Sequence, residues 1–290
     1  MRATLVHNAK SGTAASEDEL VSRFAKIGWK VDRCIEKKDL DDCLCHGADV
    51  VVVAGGDGTV AKVAKRLAGT GIPMAIVPMG TANNVARSLG IGVEPANAVR
   101  DLAKASERRI DLGIVHGSMK RDYFLEGFGL GIFAHVLAER ARKKDKEPKK
   151  ALELIADELE TFPPQSLEIE IGGRDHSGKY VLVAVMNARS LGPALGVAPE
   201  AKCDDGELDV VLIRPDAKRS LLAHLRRAAE KGDVALPAFE TMRAKKVRIR
   251  ASGGWAHVDD EPREIAGETI VEVAAGAVKL LAPNRNPKPA

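Results

Sequence analysis

The chain has 290 residues, 45% hydrophobic and 29% charged, which is a length for about two domains and a composition that excludes intrinsic disorder and collagen-like repetition. Lys and Arg number 44 against 41 Asp and Glu, a net charge of +3, too balanced for a surface that grips nucleic acid throughout. Aromatic residues make up only 3%, so the cores must be built from Val, Ile, Leu and Ala. No apolar run reaches the roughly 18 residues of a membrane span. The opening Met1-Arg2-Ala3-Thr4-Leu5-Val6-His7 suits a first strand better than a secretory leader. The expectation is a cytoplasmic protein that touches a membrane only peripherally, at its inner face. Cys34, Cys43, Cys45 and Cys203 have no zinc-ribbon spacing, with His46 the one histidine nearby, and suit free thiols in a reducing compartment.

The first hundred residues alternate strand and helix patterns. Thr4–His7 is a short apolar strand. Ser16–Ile27 has helical spacing at Leu20, Val21, Phe24 and Ile27, with Ser16 and Glu19 placed as a capping box. Lys30–Ile35 alternates. Asp49–Ala54 is a valine run of the kind buried on both faces of a parallel sheet. Thr59–Leu67 is expected to be a helix, Pro73–Val77 a strand, and Ala82–Leu89 and Glu94–Ala105 further helices. This alternation predicts a doubly wound α/β domain over residues 1–106.

Beyond it the pattern changes. Arg109–Val115 and Asp122–Leu125 flank His116-Gly117-Ser118, a hairpin signal. Further strands are expected at Leu167–Ile171, Tyr180–Asn187, Glu207–Ile213, Lys246–Arg250 and Thr269–Val273, with helical stretches at Phe133–Thr161 and Ala217–Lys231. Strand following strand predicts an antiparallel, β-sandwich-like domain over 107–283, and a disordered tail over 284–290.

Gly55-Gly56-Asp57-Gly58-Thr59 lies between the valine strand and a helix, where open α/β sheets bind ligands. Glycines let a backbone approach phosphate oxygens, and the following helix N-terminus favours an anion. Asp57 suits that place if a divalent cation stands between it and the phosphate. A tight turn capped by Asp57 accounts for the same residues equally well. The loop is neither a Walker A loop nor a Gly-x-Gly-x-x-Gly fingerprint. Twenty residues on, Pro78-Met79-Gly80-Thr81-Ala82-Asn83-Asn84-Val85-Ala86-Arg87 again follows a strand and opens a helix. A carboxylate such as Glu261, at a strand end with Pro262 behind it, is a plausible acceptor for a hydroxyl proton, and equally a solvated turn acid.

With these loops in view, the sequence resembles the diacylglycerol kinase catalytic-domain family, the soluble bacterial lipid kinases related to sphingosine and ceramide kinases. The resemblance runs through Asn8-Ala9-Lys10-Ser11-Gly12, Gly55–Thr59, Pro78–Arg87, Phe124-Leu125 with Gly129 and Gly131, Asn187, Pro199-Glu200-Ala201 with Asp205-Gly206, and Val258-Asp259-Asp260-Glu261-Pro262. It implies a nucleotide-binding α/β domain, a β-rich lipid-binding domain, and an active site between them. By resemblance ATP meets Asn8, Ser11, Gly12, Gly55, Gly56, Asp57, Gly58, Thr59, Gly80, Thr81 and Asn83. Glu261 falls on the family's general base, Asp57 on its magnesium-organising acid, and Lys202, Asp205 and Glu207 on a structural magnesium site. The implied activity is ATP-dependent phosphorylation of diacylglycerol or a related lipid alcohol, with Mg2+.

Several positions depart from the family pattern. Asn84 and Phe133 stand where its archetypes carry Asp, Glu126 where Asn is usual, and Asp260 where Gly is usual. Gly192-Pro193-Ala194-Leu195 replaces a glycine-rich stretch. The alternatives are a homologue that binds nucleotide or lipid without turnover, and an NAD kinase, which shares Gly-Gly-Asp-Gly but carries an Asn-Glu pair not found here. Glu139–Lys150 holds seven basic residues against three acids, which suits a solvated helix face or a patch for anionic headgroups. Nucleic acid is not an expected partner, because the basic stretches lack interleaved aromatics.

Overall fold

The computed structural model describes residues 1–9, 11, 15–36, 40, 47–143, 151–192, 195–231 and 239–283. Two compact units result. The first combines Met1–Asp111 with the chain from Gly276 onward, and the second is Leu112–Ala275.

The first unit begins β1 (Arg2–His7), α1 (Glu17–Lys26), β2 (Lys30–Glu36), β3 (Val50–Gly55), α2 (Asp57–Leu67) and β4 (Met74–Pro78). It continues with α3 (Asn84–Ser88), α4 (Pro95–Leu102) and β5 (Ala105–Gly117), a strand that crosses into the second unit. Strands lie in the order β2-β1-β3-β4, all parallel, and Leu280 and Leu281 of the returning chain pair in parallel beside Met74 and Ala75. Every residue of β3 is buried, as its valine run predicts for a strand covered on both faces. Leu5, Val50, Val52, Ala75 and Val77 join Leu20 and Phe24 of α1 and Val99 and Leu102 of α4 in one cluster. Val51, Val53, Met74 and Ile76 alternate to the other face, and α2 packs on β3 and β4. The hydroxyl of Ser16 accepts the Glu19 amide at 3.2 Å, so the expected cap of α1 forms. Helix α3 starts later than its apolar spacing predicts, because Asn83 is left-handed (φ 51°) and cannot open a right-handed turn.

The second unit is antiparallel. Its strands are β6 (Asp122–Phe124), β7 (Gly127–Gly131), β8 (Gln165–Ile171), β9 (Arg174–Asp175), β10 (Gly178–Tyr180), β11 (Leu182–Met186), β12 (Leu208–Ile213), β13 (Glu240–Ala244), β14 (Lys246–Val258) and β15 (Glu261–Pro283), whose last residues return to the first unit. Between β7 and β8 come α5 (Ile132–Lys143) and α6 (Ala151–Thr161); α7 (Lys218–Lys231) follows β12. Pairing runs β13-β12-β11-β7-β14-β15, with β8 also beside β14. On β11, Val183 and Val185 enter the strand-lined core with Val210 and Leu212, while Leu182, Ala184 and Met186 face the cluster built by α5, α6 and α7. That double coverage explains why β11 and β12 carry almost no polar residue.

The fold class matches the sequence expectation, an α/β layer followed by a sandwich-like β unit. The largest differences are β14 and β15, which have 13 and 23 residues where short strands were expected. Gly253 and Gly254 (φ 155° and 132°) lie at a register break opposite Ile265 and bend β14 without reversing it. Residues 284–290, 144–150, Pro193 and Ala194 lie outside the described residues.

Candidate functional site

Parallel order brings the carboxyl ends of β1, β3 and β4 side by side, and with them three of the loops singled out in the sequence. Asn8 closes β1 with its amide on the Ala54 carbonyl (3.0 Å), and its Nδ2–H donates to Thr59 Oγ1 at 3.1 Å. Thr59 is 1% exposed, so its hydroxyl braces the first loop against the second from inside. Ser11 donates its amide to the Asn8 carbonyl (3.0 Å). Gly12 lies outside the described residues.

The second and third loops touch through backbone. A Cβ on Gly80 would stand 2.6 Å from the Gly56 Cα, and one on Gly56 would stand 3.0 Å from the Gly80 Cα. Only hydrogen fits at Gly80, and a methyl on Gly56 would be tighter than ordinary contact. Asn83 locks the third loop: its Oδ1 accepts the Gly80 amide (2.9 Å), and its Nδ2–H donates to the Gly80 carbonyl (2.8 Å). Gly58 and Gly80 are partly exposed and Thr81 is exposed at the rim. The result is a glycine-lined rim of backbone around the start of α2, a surface suited to phosphate oxygens.

Asp57 opens α2, and its Oδ1 accepts the Val85 amide at 3.0 Å, capping α3 from the neighbouring loop. Burial pushes its carboxyl above the usual range, and the amides of Val85, Asn84 and Asn83 only partly offset that. A divalent cation beside Asp57 would favour the charged form that burial penalises, so this residue fits a magnesium-bound phosphate. Asn84 is 2% exposed, buried at the head of α3.

In the second unit, Val258 and Glu261 form the last pair of β14 and β15, so Glu261 is the first residue beyond the turn. Glu261 is partly exposed and ion-paired with Arg263 (2.5 Å), which also approaches Asp122 at 3.7 Å. The left-handed residue of the turn is Asp259 (φ 53°), not Asp260. Asp260 therefore replaces glycine without backbone strain. Asp259 is buried, and its Oδ1 accepts the amides of Leu125 (2.9 Å) and Glu126 (2.8 Å). Asn187 donates Nδ2–H to the Leu125 carbonyl (2.9 Å) and its amide to Glu126 O (2.9 Å). Glu126 is itself 5% exposed, a buried carboxylate within this polar cluster.

His257 is the residue that the sequence reading missed. It is 1% exposed, burial drives its pKa down to about 4, and its Nδ1 lies 2.9 Å from the Asp259 carbonyl. The Phe133 ring meets it edge-on, with centroids 5.0 Å apart. Phe133 thus belongs to the apolar core, where a carboxylate would be costly. The available signal was a lone polar residue between Ala256 and Val258, next to the Glu261 motif.

Lys202 is exposed, and Asp205 and Glu207 share the Arg243 guanidinium, which reaches Glu207 Oε2 at 2.9 Å and Asp205 Oδ2 in a short contact. Among the described residues no three His, Cys, Asp or Glu side chains cluster as metal ligands. A metal at Asp205 and Glu207 would have to compete with Arg243. Nearby Asp209, buried on β12, has its carboxyl pushed up to about 6 by burial, moderated by Arg243 and reinforced by Asp205, Glu207 and Glu200. Of the basic stretch, Arg142 and Lys143 both pair with Glu139, while 144–150 lie outside the described residues. Among the described residues no helix is long and apolar enough to cross a membrane.

The residues expected to meet nucleotide therefore gather in the first unit, Gly12 aside, whereas Glu261 and the trio Lys202, Asp205 and Glu207 belong to the second. Comparison with known proteins follows the same division. Residues 2–115 match the diacylglycerol kinase catalytic domain, and 128–282 the YegS C-terminal NAD kinase beta sandwich-like domain. A Pseudomonas fluorescens protein named "Probable lipid kinase YegS-like" is 31% identical over 255 residues, covering 86% of this chain and 82% of the relative. A Mycobacterium tuberculosis protein named diacylglycerol kinase is 29% identical over 223 residues, 75% of this chain and 72% of the relative. The crystal structure of a diacylglycerol kinase from Bacillus anthracis superposes with TM-score 0.73 at 21% identity, covering 99% of this chain and 97% of the other, a likeness of fold.

Proposed function

The chain belongs to the family of diacylglycerol kinases and YegS-like lipid kinases, and from that premise we propose that this lipid kinase transfers the γ-phosphoryl group of ATP to the hydroxyl of diacylglycerol or a closely related lipid alcohol. The observation that carries the reading is the backbone contact of Gly56 with Gly80, which joins two phosphate-compatible loops at one end of the sheet. At Gly80 nothing larger than glycine permits it.

In this reading Gly55, Gly56, Gly58 and Gly80 give the phosphates close backbone, with Asn8, Ser11, Gly12, Thr59, Thr81 and Asn83 shaping the loops around them. Asp57 is the carboxylate that would hold magnesium bound with ATP, and the ion would supply charge neutralisation to the phosphates. The lipid hydroxyl oxygen bonds to the γ-phosphorus as the bond from that phosphorus to the bridging oxygen breaks and ADP departs. Glu261 takes the hydroxyl proton, since a primary alcohol is too weakly acidic to shed it beforehand. Because the acceptor resides in a bilayer, the enzyme works from the cytoplasm at the inner membrane face.

The test is lipid-dependent ADP release over a panel of lipid alcohols, with NAD as a further acceptor. Diacylglycerol-dependent release with a phosphatidate product is expected, and Glu261→Gln should slow it by about a hundredfold or more with ATP affinity little changed. Release with NAD alone, or silence throughout the panel, overturns the reading.

A further inference from the structure

The turn that presents Glu261 is held from three sides. Its left-handed residue, Asp259, gives its carboxylate to the amides of Leu125 and Glu126 and its own amide to the Gly127 carbonyl (2.8 Å). Those contacts anchor the turn to the segment leading into β7. The Asp259 carbonyl takes a hydrogen bond from His257 Nδ1 at 2.9 Å. With the imidazole neutral, a proton on Nδ1 fixes the tautomer and leaves Nε2 as an acceptor.

The ring has little freedom to do anything else. His257 is the cross-strand partner of Gly129, and a Cβ there would stand 2.6 Å from His257 Nε2. Gly129 thus makes room for the imidazole, and Phe133 closes on its edge. The ring is clamped by packing and aims one donor at one carbonyl. Removing that donor leaves a buried carbonyl unsatisfied in a residue already in an unfavoured backbone conformation. The turn then relaxes, and Glu261 begins two residues further on.

We propose that His257 is a positioning residue for phosphoryl transfer: its Nδ1–H on the Asp259 carbonyl holds the left-handed turn that sets the place of Glu261. This rests on Glu261 acting as the proton acceptor. A displacement of about 1 Å at a reacting group costs on the order of a hundredfold in rate, so a contact that never meets substrate still reaches kcat.

The experiment measures kcat and the KM for ATP with diacylglycerol for His257→Phe and His257→Asn, each alone and combined with Glu261→Gln. An asparagine amide reaches where Nδ1 donates, and a phenylalanine keeps the ring but donates nothing. His257→Phe should lower kcat by about tenfold or more with the KM for ATP within about twofold. His257→Asn should restore most of that loss. In the Glu261→Gln background the phenylalanine change should add little, because the group it positions is already disabled. If His257→Phe does not fold, His257→Gln takes its place: its amide falls where Nε2 was, so it should be as slow as asparagine is fast. Wild-type kcat in the phenylalanine variant, equal rates for the asparagine and non-donating variants, or a full multiplicative loss on top of Glu261→Gln overturns the proposal. Wild-type kcat in Glu261→Gln alone instead overturns the assignment of the base.

Discussion

The two units hold their candidate residues by opposite means. In the first, main chain meets main chain: Gly56 against Gly80, with Met79 bonded to the Gly55 carbonyl, Asn83 bonding backbone of its own loop and Asp57 that of the next. In the second, the Glu261 turn is held by buried side chains: Asp259 of the turn itself bonds the Leu125 and Glu126 amides, Asn187 bonds the Leu125 carbonyl beside them, and His257 at the end of β14 bonds the Asp259 carbonyl. Backbone contact tolerates no added atom and does not itself titrate. Buried titratable side chains such as His257 respond to protons.

The contrast is sharpest at Gly80→Ala. The added methyl meets backbone rather than a mobile side chain, so we expect a loss of about 4 kcal/mol. Thermal unfolding should show it, together with failure to bind ATP. A variant that melts like the wild type and still binds ATP would falsify the claim that backbone contact builds this site.

Acid should distinguish the second unit. The buried His257 has its pKa lowered from 6.5 to about 4, so the unfolded chain takes up a proton that the folded one refuses. This stability is present above pH 6.5 and is lost as pH falls toward 4, about 3 kcal/mol in all. Asp209 works in the opposite sense: its carboxyl titrates near 6 in the fold against 3.8 in the open chain, so folding gains as pH falls through that window. Asp209→Asn should therefore steepen the acid loss seen by denaturant titration, and His257→Asn should flatten it. Parallel pH curves for all three proteins would mean that neither group titrates as its burial dictates.

The smallest effect concerns Arg243. Its exposed bridge to Asp205 and Glu207 contributes about 1 kcal/mol or less, so Arg243→Gln alone should barely shift the melt. Without the guanidinium, however, the two carboxylates lack their cation, and millimolar MgCl2 should then stabilise the variant more than the wild type. Equal responses would show that magnesium does not compete with Arg243.

Much of this was legible from residue order. The valine run of β3, the capping Ser16 and the two glycine loops each announce their local structure, because each obeys a short-range rule. The long β14 and β15 were not. Gly253, Gly254 and Gly267 look like chain reversals, and only their partners across the sheet turn them into a bulge and a continuation. Strand β7 is hidden in the same way, its Gly127, Gly129 and Gly131 lacking β-propensity yet set where Met186, His257 and Val181 leave no space for a side chain. His257 escaped notice because its value depends on Asp259 being left-handed, and sequence spacing carries no dihedral angle.

The 23-residue β15 has a consequence for how this protein is made. Its last stretch supplies the strand beside β4, so the first 111 residues leave the ribosome with the Met74–Ala75 border of their sheet unclaimed. An open parallel border is a template for other chains. Nascent first units must wait for more than 160 intervening residues, Leu112–Ala275, before that border is sealed. At typical elongation speeds of about 5–20 residues per second, the wait lasts roughly ten to thirty seconds. A gene cut after the first unit would make the exposure permanent, and joining Gly276–Pro283 directly behind residue 111 is the shortest edit that ends it.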